Sequence, residues 1–325
     1  SPRTADMLCE MTRITAIVPT HERLDMVSRT LERLLACDPA PAEILVHVDG
    51  GNAALHAEIK ARFPGVRCML SEKRLGPGGS RNDLITEAAH DWVANFDDDS
   101  YPAHRDYFAR VSELIRAFPD AAVLSAASHA PEWARLVIQR ISVFSGCGCV
   151  FNKRWFARTR GFVPLPIAYG MEEVDMSLRL HSLGGRMIHD PLLRVNHEPP
   201  LDRARDERMV GAVVLANTVL LPWLRYPVWL WPVGMAQVLS KIRWMLAHGQ
   251  AGAVWRGLQM TPAHLLAYGG HTGRVSARAL LSWLRLRRAH QDLQGANSLP
   301  HGFVEGAARN HTRTMGEGRD AGPAS

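Results

Sequence analysis

Phe96-Asp97-Asp98-Asp99 places three carboxylates in a row directly behind the apolar segment Trp92 to Phe96. That segment reads as a short buried strand that ends where the charge begins. A fold core has no use for three adjacent carboxylates, because each is costly to bury unpaired and their repulsion adds to the cost. A hard divalent cation such as Mg2+ or Mn2+ relieves both problems, since it takes oxygen ligands and bridges readily to phosphates. The competing reading is an acidic turn leading into Ser100-Tyr101-Pro102. The triplet falls late in a region of alternating strands and helices, which favours a metal and nucleotide site.

Upstream, Ile14 to Pro19 reads as a strand running into Pro19-Thr20-His21-Glu22-Arg23. Apolar residues at helical spacing then predict a helix over Leu24 to Ala36. Ile44 to Val48 is a second strand, closed by the turn signal Asp49-Gly50-Gly51-Asn52. A helix over 54–62, a strand over 66–71, a loop at Gly76-Pro77-Gly78-Gly79 and a helix from Ser80 to Ala89 follow. This alternation predicts an α/β fold with a mainly parallel central sheet flanked by helices. Ligands in such sheets sit at the carboxyl ends of strands, where Thr20, Asp49 and Asp97 to Asp99 all fall. Downstream, the pattern predicts a helix over 107–118, a strand over 122–128 and a β-leaning stretch over 137–150. A helix over 172–183 and a strand over 188–195, two residues before His197, complete this part. After Leu201 the β pattern fades into a helical C-terminal extension, and the tail beyond about His301 is expected to be disordered.

The chain has 325 residues, 46% of them hydrophobic and 22% charged, which is an ordinary globular composition. Its net charge of +6 favours anionic partners. From Ser240 onward eleven Lys and Arg face four Asp and Glu. No zinc-finger spacing or RNA-binding aromatic motif accompanies them, so no nucleic-acid partner is expected. Five cysteines (Cys9, Cys37, Cys68, Cys147, Cys149) at irregular spacing suggest a reducing compartment. The first eleven residues lack the apolar core of a signal peptide, and Met11 offers a natural start, so the expected location is cytoplasmic. Met209 to Leu224 and Tyr226 to Leu239 are uncharged runs divided by Arg225. Each is shorter than the roughly 20 residues that a membrane span needs. Trp223, Trp229, Trp231 and Trp244 beside Arg225, Lys241 and Arg243 suit an interfacial surface on an anionic bilayer. They equally suit a packed helical subdomain or a homodimer face. A peripheral position at the inner face of the cell membrane therefore stands beside a wholly soluble one.

Several residues carry both a chemical and a structural reading. Asp49 could accept bonds from a nucleotide base or ribose, or simply cap a turn. Gly76 to Gly79 followed by Arg81-Asn82 could bring backbone and charge to a phosphate, although neither a P-loop nor a dinucleotide fingerprint is present. Glu172-Glu173-Val174-Asp175 opens a helix with acids that the helix dipole favours. It could also supply a general base whose pKa rises through burial and like charge. Only one of Glu172 and Glu173 can point fully inward, while Asp175 shares the face of Glu172. His197 could be a metal ligand or a structural histidine.

Together these residues resemble the family 2 glycosyltransferases, inverting enzymes with the GT-A fold. The resemblance runs from Ile14-Thr15-Ala16-Ile17-Val18-Pro19-Thr20-His21 to Asn196-His197. It implies that Thr20, Asp49, Arg81, Asn82, Asp97 and Asp98 serve the nucleotide-sugar, with Asp49 at the base and Asp97 on the donor. Gly50 stands where the family often has a second Asp. By the same resemblance Asp99 binds the metal, Mn2+ or Mg2+, with Asp97 and His197 completing its shell. Glu173 inherits the place of the catalytic base, with Glu172 and Asp175 in the same acidic run. Residues 12–118 would bind the nucleotide-sugar and 119–200 the acceptor within one domain, with 201–300 as the helical extension and 301–325 as the tail. The implied reaction moves a sugar from a UDP-, GDP- or dTDP-linked donor to a hydroxyl of a glycan, lipid-linked or small-molecule acceptor. Two alternatives remain: a nucleotidyltransferase acting on a sugar phosphate, and a non-catalytic nucleotide-sugar-binding protein. The first should carry a Gly-rich phosphate loop directly after the first strand, and Pro19-Thr20-His21-Glu22 is none.

Overall fold

The computed structural model describes residues 12–128, 137–198 and 207–293. The tail from His301 onward lies outside the described residues. Strand β1 (Ile14–Thr20) is buried along its whole length, as a strand covered on both faces must be. It lies between β2 (Glu43–Val48) and β4 (Trp92–Asn95), both parallel to it, and β3 (Arg67–Leu70) extends the parallel set beyond β2. Helices α1 (Leu24–Leu35), α2 (Ala53–Arg62) and α3 (Gly76–Glu87) make the connections that parallel strands require.

On the other side of β4 the sheet becomes mixed. In space it continues with β8 (Cys149–Asn152), β6 (Ala121–Ala127), β9 (Arg186–His197), β7 (Gln139–Ile141) and β10 (Gln291–Asp292). The short β5 (Ser100–Pro102) pairs antiparallel with the end of β9, and Ser100 stands opposite His197. Helices α4 (Tyr107–Ala117), α5 (Lys153–Phe156) and α6 (Glu172–Ser182) belong to this half. The expected α/β sheet with parallel strands and flanking helices is present, followed by α7 (Glu207–Arg225), α8 (Trp231–Ala247), α9 (Ala251–Tyr268) and α10 (Ala277–Arg288).

Two local expectations need correction. Gly76-Pro77-Gly78-Gly79 is not a loop but the first turn of α3. Its glycines permit close approach: a Cβ on Gly76, where φ is +72°, would sit 2.3 Å from the Leu165 carbonyl oxygen, and one on Gly78 2.9 Å from Phe162 Cβ. His197 does not follow its strand at a distance but ends β9.

The helices after α6 share a core with the sheet domain. Val163, Leu165, Met171 and Leu178 pack with Leu220, Leu224, Tyr226, Leu280 and Trp283, and residues up to Leu293 form one compact unit. Trp283 also donates to the Ser142 carbonyl at 2.7 Å. Arg225, which divides the two uncharged runs, is buried and bonded to both oxygens of Asp175. Asp175 accepts from Arg179 as well, at 3.0 and 2.6 Å. Burial alone would raise the Asp175 carboxyl, but the two guanidinium groups outweigh it and hold the group below its ordinary value. Asp175→Ala should cost about 3–5 kcal/mol, because it leaves two buried cations uncompensated. A urea midpoint equal to that of the unsubstituted protein would contradict this.

Candidate active site

The three adjacent carboxylates have three different surroundings. Asp98 points inward: Thr20 Oγ1 donates to it at 2.9 Å and Arg23 lies 2.5 Å away. Burial, only partly offset by Arg23, raises its pKa to about 7. Asp99 is also buried, 3.2 Å from Arg23 and 3.3 Å from His197 Nε2. Asp97 faces the cavity, bonded to Arg81 and accepting from Cys147 Sγ at 3.0 Å. Burial would raise Asp97, but Arg81 and the thiol hydrogen bond hold it below the usual carboxylate range.

Topology produces this grouping. The pairing of β5 with β9 carries His197 back to the triplet, and the pairing of Asn95 with Cys149 carries Cys147 to Asp97. One oxygen of Asp97, Cys147 Sγ and one ring nitrogen of His197 lie within 4.8 Å of one another. Such a set of oxygen, sulfur and nitrogen donors could hold a divalent metal ion.

Arg81, on α3, is almost fully buried and bonds three groups within the site. Its Nε donates to Asn95 Oδ1 at 3.0 Å, its Nη1 to Glu172 Oε1 at 2.5 Å and its Nη2 to Asp97. Burial raises Glu172 despite this ion pair. Glu173 has no such bond to the guanidinium. Burial first, and then the charge of Glu172, raises its pKa to about 7. One guanidinium cannot neutralise Asp97, Glu172 and Glu173 together, and both glutamates are held above their ordinary value. Glu173 lies against Gly146, where a Cβ would approach its Oε1 to 2.5 Å.

Thr20, Asp49, Arg81, Asp97, Asp98, Asp99, Glu172, Glu173 and His197 all line one cavity of about 720 Å³. That volume suits a nucleotide-sized ligand. Within it, Asp49 is engaged as a cap: it accepts from Leu75 N at 2.7 Å, Gly76 N at 2.9 Å and Ser71 Oγ at 3.1 Å. Two expected site residues do not line it. Asn82 exchanges two hydrogen bonds with the backbone of Phe162, and Asp175 belongs to the Arg179 and Arg225 cluster. Three residues that sequence reasoning passed over do contribute. Arg23 clamps Asp98 and Asp99, and its signal was its place at the end of Pro19-Thr20-His21-Glu22-Arg23. Cys147 had no local signal. Neither had Asn217 of α7, which donates to the carbonyls of Ile167 (3.1 Å) and Tyr169 (3.0 Å) and so pins the cavity wall.

Residues 15–175 match the family described as Glycosyl transferase family 2. This segment, just under half of the chain, is a glycosyltransferase family 2 domain. The chain is 32% identical over 87 residues to the succinoglycan biosynthesis protein ExoO of Rhizobium meliloti (strain 1021), covering 26% of this chain. The match spans only a quarter of the length of that relative. Among solved structures, the mannosyltransferase PcManGT of Pyrobaculum calidifontis, in complex with GDP-Man and Mn2+, superposes with a TM-score of 0.53 at 20% identity. That alignment covers 83% of this chain and 78% of the other. GalNAc-T7 with UDP, GalNAc and Mn2+ gives a TM-score of 0.55 at 15% identity, over 67% and 49% of the two chains. Both likenesses concern the fold, which is of the GT-A type.

The position of Cys147 makes a direct prediction. Co2+ added to the protein should give a thiolate-to-metal charge-transfer absorption, because metal binding deprotonates a coordinating thiol. Cys147→Ser should abolish the band. A band of equal strength in that variant would remove Cys147 from the metal site.

Proposed function

We propose that this protein transfers a sugar from a nucleotide-sugar donor to an acceptor hydroxyl in a single, metal-dependent, inverting displacement. The observation that carries this reading is Glu173, a carboxylate at the cavity with a pKa near 7, beside the Arg81 and Asp97 pair. The family 2 domain and the nucleotide and Mn2+ complexes of the similar structures support it. The donor would be a UDP-, GDP- or dTDP-linked sugar, and the acceptor a glycan, a lipid-linked glycan or a small molecule.

Asp97, Asp99 and His197, with Cys147 beside them, would hold the divalent ion. A thiol in that set favours a transition-metal ion such as Mn2+ over Mg2+. When bound, the ion would offset charge developing on the departing nucleoside diphosphate. Arg81 keeps Asp97 ionised and Glu172 in place, which makes it a positioning residue. Glu173 Oε accepts the proton of the acceptor hydroxyl as that oxygen attacks the anomeric carbon. The bond to the diphosphate breaks on the opposite face, and no covalent sugar intermediate forms. Cys147 and Gly146 border the carboxylate, and the loop at Tyr169 and Gly170 forms the other wall of the cavity.

The acid–base prediction has a definite sign. Glu173 works as a base only when ionised, so the transfer rate should rise as pH increases through about 7 and fall below it. Glu173→Gln should lower turnover about 10²–10⁴-fold and flatten that limb of the profile, while donor affinity stays nearly unchanged. Because folding raises this pKa above its ordinary value, stability is lost as pH rises from that value to about 7, where native Glu173 also ionises, and stays lost above it. Glu173→Gln should therefore melt higher than the unsubstituted protein at pH 8 and no higher at pH 4. Normal turnover in a folded Glu173→Gln protein would remove Glu173 as the base and leave Glu172 in that role.

A further inference from the structure

From Arg208 to Gln291 the chain contains no Asp or Glu, yet it carries Lys241 and nine arginines. This stretch holds α7 after its first residue, Glu207, and all of α8 to α10, and six of the nine tryptophans of the chain fall within it. One of the arginines, Arg225, is buried on Asp175. The others are exposed, and α8, α9 and α10 carry no carboxylate of their own.

The apolar residues of α8 and α9 are arranged the wrong way round for a helix pair in water. On α8, Gly234, Val238 and Met245 are buried, whereas Met235, Leu239 and Leu246, one position further on, are exposed. On α9, Ala253, Val254 and Gly257 face inward while Trp255, Leu258 and Leu266 face outward. Eleven residues make about three helical turns, so positions 235 and 246 share a face, as do 255 and 266. Both helices pack on α7 and touch each other. Small residues bring the backbones together: a Cβ on Gly257 would sit 2.8 Å from the Ala212 carbonyl oxygen, and one on Gly234 2.4 Å from Pro222 Cβ. Close packing through small residues leaves the large side chains outside. Leu266 is 84% exposed, Trp255 66% and Trp229, in the 3₁₀ turn before α8, 73%. Single exposed apolar residues are common, but helical stripes of them beside tryptophans and cations mark a contact surface.

We propose that α8, α9 and the turn at Trp229 dock on an anionic lipid bilayer, with the apolar stripes in the interfacial region and the cations on the headgroups. Charge complementarity selects this occupant. A second copy using the same face would set one carboxylate-free surface against another, with like charges opposed. An anionic bilayer instead supplies the missing negative charge, and tryptophan is favoured at that interface. No helix among the described residues is long and apolar enough to cross a membrane, so the attachment is peripheral. Trp244, stacked under Lys241 at 4.4 Å, pairs an aromatic ring with a cation at the same surface. Met209 and Val210 of α7 line the catalytic cavity, so docking would hold that cavity near the lipid surface.

Vesicle flotation of the full chain, without donor or acceptor, tests docking separately from sugar transfer. Vesicles of phosphatidylcholine alone would be compared with vesicles containing about a third phosphatidylglycerol, at low and high salt. Partitioning should be at least tenfold stronger on the anionic vesicles and should weaken as salt rises. The double variant Trp255→Ser, Leu266→Ser should lose about tenfold in partitioning with unchanged melting, because both side chains are already exposed. Brominated lipids should quench tryptophan fluorescence in the unsubstituted protein. Three outcomes would each overturn the proposal: no association with anionic vesicles, equal binding by the folded variant, or a dimer that the variant dissociates while neither protein binds vesicles.

Discussion

The site depends on one buried guanidinium. Arg81 is held on α3 and bonds Asp97 beyond the end of β4 and Glu172 at the start of α6, while Glu173 has only a backbone hydrogen bond and the charge of Arg81 to offset its burial. A single positive charge among three carboxylates cannot balance them in a medium of low dielectric. The remainder must be met by a proton, by a cation or by water entering the cavity. That imbalance links the fold to the chemistry, because it raises Glu173 into the range of a useful base and keeps Asp97 ionised beside Cys147 and His197. The close approach of α3 to the 162–166 segment, which only the glycines of its first turn allow, is what brings Arg81 within reach.

Most of the first half of the fold was legible in the sequence. The apolar runs at Ile14, Ile44 and Trp92 are fully covered strands, and such strands read plainly because both of their faces are apolar. The glycine-rich turn of α3 misread as a loop because its cap comes from far away. Asp49, 27 residues earlier, accepts the amide of Gly76, and no local propensity records that bond. Asp175 looked like part of an acidic catalytic run for a similar reason. Its partner Arg225 lies 50 residues downstream and in sequence looked only like a break between two apolar segments. Within the site, the acidic triplet, the Glu pair and His197 could be found by type and spacing. Cys147 could not, since only the antiparallel insertion of β8 beside β4 brings it to Asp97.

The helices after residue 207 carry more than sequence periodicity suggested. Their inner side completes the apolar core around Trp283 and, through Asn217, fixes the loop that walls the cavity. His264 of α9 in turn contacts Asn217 Oδ1 at 2.8 Å, so the loop is held by two helices in series. The outer side of the same helices bears the exposed tryptophans and leucines. One lobe thus shapes the cavity with one face and offers an apolar, basic surface with the other.

This cavity is proposed to take a nucleotide-sugar with the help of a divalent ion. The most direct measurement is thermal stabilisation of the purified protein by UDP-, GDP- and dTDP-sugars, each with Mn2+, with Mg2+ or with a chelator, followed by mass spectrometry of the donor. Stabilisation by one nucleotide class that requires the metal, with slow hydrolysis of that donor, is the predicted result. A well-folded protein that binds none of these donors under any of the three conditions would contradict the account.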